Sequence, residues 1–226
     1  MEQGEFLCDS PKLLTEALLW NGMLKTVVFT EGTVLPKLPE GVRVVQVPSE
    51  LMKSISPAQA PQGVLSVCSM EVPALPAKLE GKRYVVLDGV QDPGNVGTIL
   101  RTADAFGADG VFLVNGCADL YNPKTVRSTM GACFRLPVYE VEEGQLEELL
   151  NRSGLPLYAT ALREDTVDIK TADLSRSAVV IGSEGRGISD ALLNMSEKTL
   201  KIPMRDRCES LNAAAAATIV LWEMYR

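Results

Sequence analysis

The sequence predicts an α/β protein whose larger part is built on a parallel sheet. Short apolar runs alternate with segments of helical periodicity along most of the 226 residues, a pattern typical of strand–helix–strand units. Two late apolar runs, at residues 178–181 and 200–203, each end in a glycine-rich or polar loop that precedes a helix. Loops at the carboxyl ends of strands form the ligand crevice of an open α/β sheet. We therefore expect the functional site within residues 177–226.

Composition limits the class of protein. The chain is 46% hydrophobic and 23% charged, as expected for a soluble α/β protein. No apolar run approaches the roughly 20 residues that a membrane helix needs. The N-terminus lacks the basic start and apolar centre of a signal peptide. These features predict a cytoplasmic protein with no membrane partner.

Residue types that are absent or scattered exclude several chemistries. The chain has no histidine, which excludes a histidine general base, a Ser-His-Asp triad and most histidine metal sites. Its five cysteines are far apart and form no C-x-x-C pair, which argues against a disulfide framework or a zinc site. We expect no metal, and proton transfer must use carboxylates, Lys, Tyr, Arg or the substrate.

The net charge of −7 is unfavourable for indiscriminate binding of nucleic acid, whose affinity comes largely from Lys and Arg on phosphates. Much of the acidic charge lies at residues 140–148. Cations nevertheless occur in or near the loops that follow strands. They are Arg101, Lys124, Arg127, Arg135, Arg163, Arg186, Arg205 and Arg207.

A small α/β unit is predicted for residues 1–72. Ser10 and Pro11 are typical of a helix N-cap and first helical residue, and Gly22 is typical of a helix end. Strands are predicted at residues 25–30, 42–47 and 63–69, with a short helix at 49–54. Residues 73–82 contain Pro73 and Pro76 and are predicted to be a linker.

The second predicted unit covers residues 83–226. Its strands are expected at residues 83–88, 110–114, 135–139, 156–160, 178–181 and 199–202. Its helices are expected at residues 95–106, 122–131 and 143–152, from 189, and from 210 to the end of the chain. Residues 161–175 read as irregular. Ser210 is a natural N-cap for the last helix, and Asn212 has an amide that can both donate and accept a hydrogen bond.

The glycine-rich turn at residues 182–187 has the pattern G-x-x-G-x-G. It matches neither the dinucleotide-binding G-x-G-x-x-G nor the P-loop. Glycines after a strand suggest close approach of the backbone to a ligand, but they are also consistent with a plain tight turn. Glu184 between them is either a partner for backbone donors at the helix start or a functional acid.

Asn95 and Arg101 lie six residues apart on the first helix of the second unit, about 120° from one another around its axis. Arg101 falls in a stretch that reads as semi-buried. It is either one half of a surface ion pair or a cation that faces a phosphate or carboxylate.

Three segments in this order resemble the three motifs of the SpoU (TrmH-like) RNA ribose 2′-O-methyltransferases. They are Asn95-x-Gly97-x3-Arg101, Ile181-Gly-Ser-Glu-Gly-x-Gly187, and Ile202-Pro-Met204 followed by Glu209-Ser-Leu-Asn212. The resemblance covers about residues 82–226, and the combination is specific although no single segment is. The front unit is similar to the substrate-binding domain of many members through SPKLLTEA at residues 10–17 and APQG at residues 60–63.

The resemblance implies a parallel-sheet SPOUT domain with a deep trefoil knot, preceded by the small RNA-binding unit. It implies S-adenosylmethionine bound in the knot, a homodimer with the active site near the interface, and an RNA substrate, ribosomal rather than transfer RNA. The implied cofactor-binding residues are Thr160, Gly182, Ile202, Met204 and Leu211.

The implied reaction is in-line transfer of a methyl group from the sulfonium to a ribose 2′-oxygen, for which the protein must position the hydroxyl and assist loss of its proton. By resemblance, Arg101 is the principal catalytic residue, aided by Asn95, Glu184, Ser210 and Asn212. Arg101 acts either as a base or, since a guanidinium is essentially never deprotonated, by binding the adjacent phosphate and stabilising negative charge.

Two features depart from the family pattern. Ala213 and Ala214 follow Asn212 where the family often has Val-Ser. Only nine residues precede the helix at Ser10 where relatives often have a basic segment and a first strand, so the front unit is expected to begin abruptly and to bind RNA less strongly.

Two other functions remain open at this stage. One is a non-catalytic RNA-binding or ribosome-associated module that retains the fold. The other is a methyltransferase that acts on a different substrate.

Overall fold

Two β-sheets organise the chain, one in the first third and one in the remainder. The structure is a computed structural model and describes residues 4–20, 23–71, 73–164, 166–205 and 210–226. Within these residues, no helix is long and apolar enough to cross a membrane.

The first sheet has four strands in the order β1-β4-β2-β3. The strands are β1 Glu5–Cys8, β2 Leu24–Thr30, β3 Arg43–Val47 and β4 Val64–Ser69, and the helices are α1 Pro11–Leu19 and α2 Ser49–Ile55. Strands β2 and β3 are parallel, and the other two pairs are antiparallel. The Ser10 hydroxyl accepts a hydrogen bond from the Leu13 N–H at 3.2 Å, as its predicted N-cap role requires. The predicted helix end at Gly22 lies outside the described residues.

Strand β1 corrects the expectation that the front unit begins abruptly. It lies within the nine residues before Ser10 and pairs antiparallel with β4, with Glu5 opposite Ser69 and Cys8 opposite Ser66. Only Phe6 and Cys8 of its four residues are buried. Two alternating apolar residues are too short a pattern to identify a strand without its pairing partner.

The second sheet has seven strands, in the order β7-β6-β5-β10-β8-β11-β9. They are β5 Arg83–Asp88, β6 Gly110–Val114, β7 Val138–Glu140, β8 Leu157–Ala159, β9 Val167–Asp168, β10 Ser177–Gly182 and β11 Lys198–Lys201. All six neighbouring pairs are parallel, which confirms the predicted parallel sheet. Strand β9 and a 3-10 helix at Ile169–Thr171 occupy part of the segment predicted to be irregular.

Helices cover both faces of this sheet. They are α3 Pro93–Ala105, α4 Pro123–Thr129, α5 Glu143–Ser153, α6 Asp190–Met195 and α7 Ala213–Tyr225. Buried residues of α3 and α7 pack with Val85, Leu87 and Ile181 on one face. Buried residues of α5 and α6 pack with Val86 and Val180 on the other. Because the strands are buried on both faces, they read in the sequence as continuous apolar runs.

The strand order brings distant loops to one edge of the sheet. Strand β10 lies between β5 and β8, and β8 lies between β10 and β11. Since all these strands are parallel, the segments after Asp88, Ala159, Gly182 and Lys201 leave the sheet at the same edge. The ends of α3 and α7 that begin with Pro93 and Ala213 meet the glycine-rich turn there.

Three of the cations near the predicted loops are held in ion pairs. Lys124 Nζ lies 2.8 Å from Asp92 Oδ2, and Arg127 pairs with Asp9 of the front unit. Arg135 lies 2.6 Å from Glu16 Oε2 and 2.7 Å from Asp104 Oδ2. These ion pairs connect residues that are far apart in the sequence. They were not predicted from the sequence.

Two helical glycines should respond oppositely to substitution by alanine. A Cβ at Gly97 would overlap the carbonyl oxygen of Thr125 and lie 2.5 Å from Ser128 Cβ, whereas a Cβ at Gly144 would meet nothing within 4 Å. We expect Gly97→Ala to lower the free energy of unfolding by about 1–3 kcal/mol through overpacking of α3 on α4. Gly144→Ala should raise it by about 0.5–1 kcal/mol. Urea unfolding measures both, and equal effects would contradict the close helix packing.

Glu16 should give the protein a component of stability that depends on pH. The Lys12 ammonium and then the Arg135 guanidinium hold the pKa of Glu16 below its ordinary value. A lowered folded-state pKa stabilises above the unfolded pKa of about 4.3, and this contribution is lost as the pH falls through the folded-state pKa.

The difference in unfolding free energy between wild type and Glu16→Gln should therefore be largest near neutral pH and shrink in acid. Urea unfolding across a pH series measures it. Glu148→Gln, which removes an exposed pair with Arg152, is the control and should give a small, flat difference. A constant difference for Glu16→Gln would contradict the assignment.

Candidate active site

Three residues from distant parts of the chain form one hydrogen-bonded cluster. Asn95 lies in the first turn of α3, Glu184 in the turn after β10, and Asn212 directly before α7. Asn95 Nδ2 donates to Glu184 Oε1. Asn212 Nδ2 donates to Asn95 Oδ1 at 3.1 Å and lies 3.4 Å from Glu184 Oε1. The structure thus brings together residues from all three segments that the sequence analysis singled out.

Asn212, rather than Ser210, caps α7. Its Oδ1 accepts from the N–H groups of Ala214 at 3.0 Å and Ala215 at 3.3 Å, and the helix begins at Ala213. The predicted cap at Ser210 is therefore wrong. Because Oδ1 is committed to the helix, the Asn212 amide group must present its N–H donors to Asn95 and Glu184.

Glu184 accepts through one oxygen and keeps the other available. Its Oε1 faces the donors of Asn95 and Asn212 and lies 3.4 Å from the Ala213 N–H. No residue in the described part of the chain donates to Oε2. The N-terminus of α7 favours a negative charge at this place. Glu184 thus meets a backbone donor, as the first of the two alternatives raised by the sequence requires.

The turn at residues 182–187 is closed by its own backbone. The N–H of Ser183 donates to Gly187 O at 3.1 Å, and the N–H of Gly187 donates to Ser183 O at 2.9 Å. A Cβ at Gly182 would overlap the carbonyl group of Gly187, while Gly187 itself has a φ of 70°. Gly182 is therefore required for space and Gly187 for backbone conformation. A Cβ at Gly185 would meet nothing within 4 Å.

A cavity of about 230 Å³ adjoins this turn. Its lining includes all five predicted cofactor residues, Thr160, Gly182, Ile202, Met204 and Leu211, together with Glu184 and Ser210. The Thr160 hydroxyl donates to Val180 O at 2.8 Å, which fixes this wall to β10.

Several apolar residues of the same wall were not predicted from the sequence. They are Ala161, Leu162, Ile188, Leu200, Ala213 and Ala216. Two of them follow Thr160 directly, so the predicted position of Thr160 as the last residue of the strand at 156–160 was the available signal.

Arg101 takes no part in the hydrogen bonds of the cluster. It is exposed, which corrects the expectation of a semi-buried position. Gly97, one helical turn earlier, faces α4, whereas Asn95 reaches towards α7 through Asn212. Among the residues that the structure describes, Arg101 has neither an ion-pair partner nor a hydrogen bond from its side chain. The surface ion pair considered from sequence is thus not formed with any described residue, and the exposed guanidinium can be reached by a ligand.

A second polar network, which the sequence analysis missed, anchors the far end of the glycine-rich turn. Asp88 is only 4% exposed. Its Oδ2 accepts from the Ser189 N–H at 2.6 Å, and its Oδ1 accepts from Asn115 Nδ2 at 2.8 Å. Asn115 also donates to Glu143 Oε1 at 2.8 Å. The glycine-rich turn is thus held at Ser189 by the buried Asp88 carboxylate, and at Glu184 by the amides of Asn95 and Asn212.

The donor set does not suggest a metal centre. No group of three or more Cys, Asp or Glu side chains in the described ranges is arranged to hold a metal ion. The four cysteines within those ranges, Cys8, Cys68, Cys117 and Cys133, are free thiols.

The fold and its crevice define an α/β protein with a ligand site at the carboxyl edge of a parallel sheet. Comparison with known families is more specific. Residues 82–222 match the model of the SpoU rRNA Methylase family, and the chain belongs to that family. The resemblance drawn from the three sequence segments is thereby confirmed.

Known proteins are similar along nearly the whole chain. The chain is 33% identical over 220 residues to the 23S rRNA (guanosine(2553)-2′-O)-methyltransferase RlmP of Bacillus subtilis, covering 97% of this chain and 88% of the relative. It is 32% identical over 239 residues to the 23S rRNA (uridine(2479)-2′-O)-methyltransferase of Streptomyces viridochromogenes, covering 99% and 83%. The AdoMet-bound rRNA methyltransferase from Sinorhizobium meliloti matches with a TM-score of 0.87 at 31% identity, covering 99% of this chain and 87% of that chain.

Proposed function

We propose that the protein transfers a methyl group from S-adenosylmethionine to a ribose 2′-hydroxyl of ribosomal RNA in the cytoplasm. The observation that carries the proposal is the cluster of Asn95, Glu184 and Asn212, which joins the three family segments beside the cavity. The family and the rRNA 2′-O-methyltransferases among the relatives support the same reaction.

The lining of the cavity suits S-adenosylmethionine in polarity. Its walls are mostly apolar, as an adenine ring requires, and Gly182, Ile202 and Leu211 are among its lining residues. The absence of a Cβ at Gly182 keeps the turn closed against this wall. When bound, the cofactor supplies an activated methyl group. The relative from Sinorhizobium meliloti is an AdoMet-bound structure, which supports the assignment.

The remaining residues act on the RNA. Arg101 is exposed and has no partner in the described chain, so its guanidinium is suited to binding the phosphate beside the target ribose. Glu184 Oε2 is the acceptor available for the 2′-hydroxyl proton, while the two asparagine amides hold the carboxylate in place. Ser210 borders the cavity and is the remaining polar group of the proposed catalytic set.

The proposed roles of the two units follow the division of the chain into two sheets. We assign residues 1–72 to RNA binding, 73–82 to a linker and 83–226 to the methyltransferase domain, with the trefoil knot that the family resemblance implies. Ribosomal rather than transfer RNA is the proposed substrate, because the rRNA enzymes among the relatives match across the front unit as well.

A homodimer is the proposed assembly. Helix α7 is apolar on nearly all sides, a composition typical of a helix that is covered all round. Its Trp222 and Tyr225 are nevertheless 51% and 56% exposed, and both pack against Phe106 of α3. A second copy would cover this aromatic face and lie next to the helices that carry Asn95 and Asn212.

Cofactor binding should distinguish two glycines of one turn. Gly182→Ala forces the added Cβ into the Gly187 carbonyl, and the strain of about 1–3 kcal/mol should weaken S-adenosylmethionine binding by about ten-fold or more. Gly185→Ala adds a methyl group in open space and should bind as the wild type does. Calorimetric titration measures both, with thermal unfolding as a check on folding. Equal affinities of the two variants would contradict the assignment of the cofactor to this turn.

The reaction is tested with ribosomal RNA from a strain that lacks the protein, using S-adenosylmethionine labelled in its methyl group. Resistance of the labelled nucleotide to alkaline hydrolysis identifies 2′-O-methylation. Arg101→Ala should lower kcat/KM for RNA by about 100-fold, as for loss of a group that stabilises transition-state charge, with cofactor affinity unchanged. Arg152→Ala, an exposed arginine on α5, is the matched control.

The outcomes separate the alternatives. Normal methylation by Arg101→Ala would remove the role proposed for that residue. Cofactor binding without transfer to any ribosomal RNA would favour a methyltransferase for another substrate. Neither binding nor transfer, with RNA still bound, would favour the non-catalytic module.

The aromatic face of α7 should control assembly. Trp222→Glu places a charge in the proposed interface and should convert the dimer to a monomer, because an unpaired charge is costly to bury. Trp20→Glu, at a similarly exposed tryptophan of the front unit, should leave the dimer intact. Light scattering coupled to size-exclusion chromatography measures the mass, and a wild-type monomer would refute the proposed assembly.

A further inference from the structure

Arg135 lies where the front unit meets the large sheet, and its side chain contacts both. Its Nη1 donates to Glu16 Oε2 of α1 at 2.6 Å. Its Nε donates to Asp104 Oδ2 of α3 at 2.9 Å, and its Nη2 lies 2.7 Å from the same oxygen. One guanidinium therefore ties a helix of the front unit to the helix that carries Asn95 and Arg101.

The surroundings keep this arginine in place. Nη1 also donates to Gly131 O at 3.0 Å, and Gly131 has a φ of 99°, with a position for Cβ that Glu16 already occupies. The Arg135 guanidinium lies 5.6 Å from the centre of the Trp20 ring. A glycine at position 131 is thus what lets Glu16 reach Arg135.

The three charged side chains are largely shielded from water. The exposed fractions are 23% for Arg135, 9% for Glu16 and 24% for Asp104. Removing one partner from a shielded ion pair is much more costly than removing one from a surface pair. The contact is therefore a stronger constraint than the exposed pair of Arg152 and Glu148 on α5.

Besides the pair of Arg127 with Asp9, the units meet through apolar contacts, which cannot set their angle alone. Phe6 and Leu13 of the front unit pack with Val126 and Phe134 of the large unit, but apolar burial is non-directional. A guanidinium that binds two carboxylates has a fixed geometry. Asp104 lies three residues after Arg101, on the same side of α3, so the contact reaches the face of the helix that presents Arg101.

We propose that Arg135 is a positioning residue that fixes the orientation of the front unit relative to α3, so that RNA held by the front unit reaches Arg101 and the Asn–Glu–Asn cluster. The inference rests on the proposed role of the front unit in RNA binding. It predicts that the Arg135 contact affects the use of RNA and leaves cofactor binding unchanged, since none of Arg135, Glu16 and Asp104 lines the cofactor cavity.

The kinetic arm compares Arg135→Met, which keeps the length of the side chain and removes its charge, with Arg152→Met. We expect kcat/KM for RNA to fall about ten-fold in Arg135→Met, mainly through KM, consistent with loss of a partly buried pair. S-adenosylmethionine affinity should stay at the wild-type value in both variants. A purely structural role would instead lower cofactor affinity together with RNA use.

A double-mutant cycle makes the test independent of any single variant. If Arg135 and Glu16 act as one contact, Glu16→Gln combined with Arg135→Met should have no larger effect on kcat/KM than Arg135→Met alone. If the double variant instead shows the product of the two single-variant effects on kcat/KM, the residues act separately and the inference is overturned.

A second experiment measures trypsin cleavage of the protein and uses no RNA. The predicted linker carries an exposed lysine, Lys78, before the buried Leu79. Loosening the units should speed trypsin cleavage after Lys78 several-fold in Arg135→Met and leave it unchanged in Arg152→Met. If the wild type transfers no methyl group to RNA, the proposed function fails, and this arm still decides whether Arg135 holds the units. Unchanged cleavage, or faster cleavage with wild-type kinetics for RNA, overturns the positioning role.

Discussion

One carboxylate oxygen, Glu184 Oε1, connects the three segments on which the proposed activity depends. Donors from the start of α3 and the start of α7 meet it, so the glycine-rich turn, the first helix and the last helix are fixed relative to one another. A carboxylate suits this position because helix N-termini attract negative charge. The Asn212 amide serves both sides, since its oxygen caps α7 and its nitrogen donates to the cluster.

The turn after β10 is constrained at both ends, and this determines what the cavity can hold. Backbone bonds between Ser183 and Gly187 close it, Glu184 is held by the cluster, and Asp88 holds Ser189. A turn fixed in this way offers a ligand a preformed backbone edge, which lowers the entropic cost of binding. The cavity therefore derives its shape from polar contacts outside it, although its own walls are largely apolar.

The sequence predicted what local rules determine. The buried strands, the parallel arrangement and the cap at Ser10 follow from apolar runs and capping chemistry. The features that were not predicted depend on contacts between distant residues. Strand β1 exists through pairing with β4, and the cap of α7 falls on Asn212 because that residue also meets Glu184 and Asn95. No short-range pattern indicates that Asp88 reaches Ser189 or that Arg135 joins two helices.

The distribution of charge narrows how this acidic chain can bind RNA. Lys124, Arg127 and Arg135 are paired with carboxylates of the same chain, so they contribute little to neutralising phosphates. Phosphate contacts set non-specific affinity and its salt dependence, and with a net charge of −7 such affinity should be weak. Recognition must then rest on shape and on cations such as Arg101, which is exposed and has no ion-pair partner among the described residues. If the front unit binds RNA as proposed, its angle to the active site gains importance, because the protein has little general electrostatic attraction to compensate for misalignment.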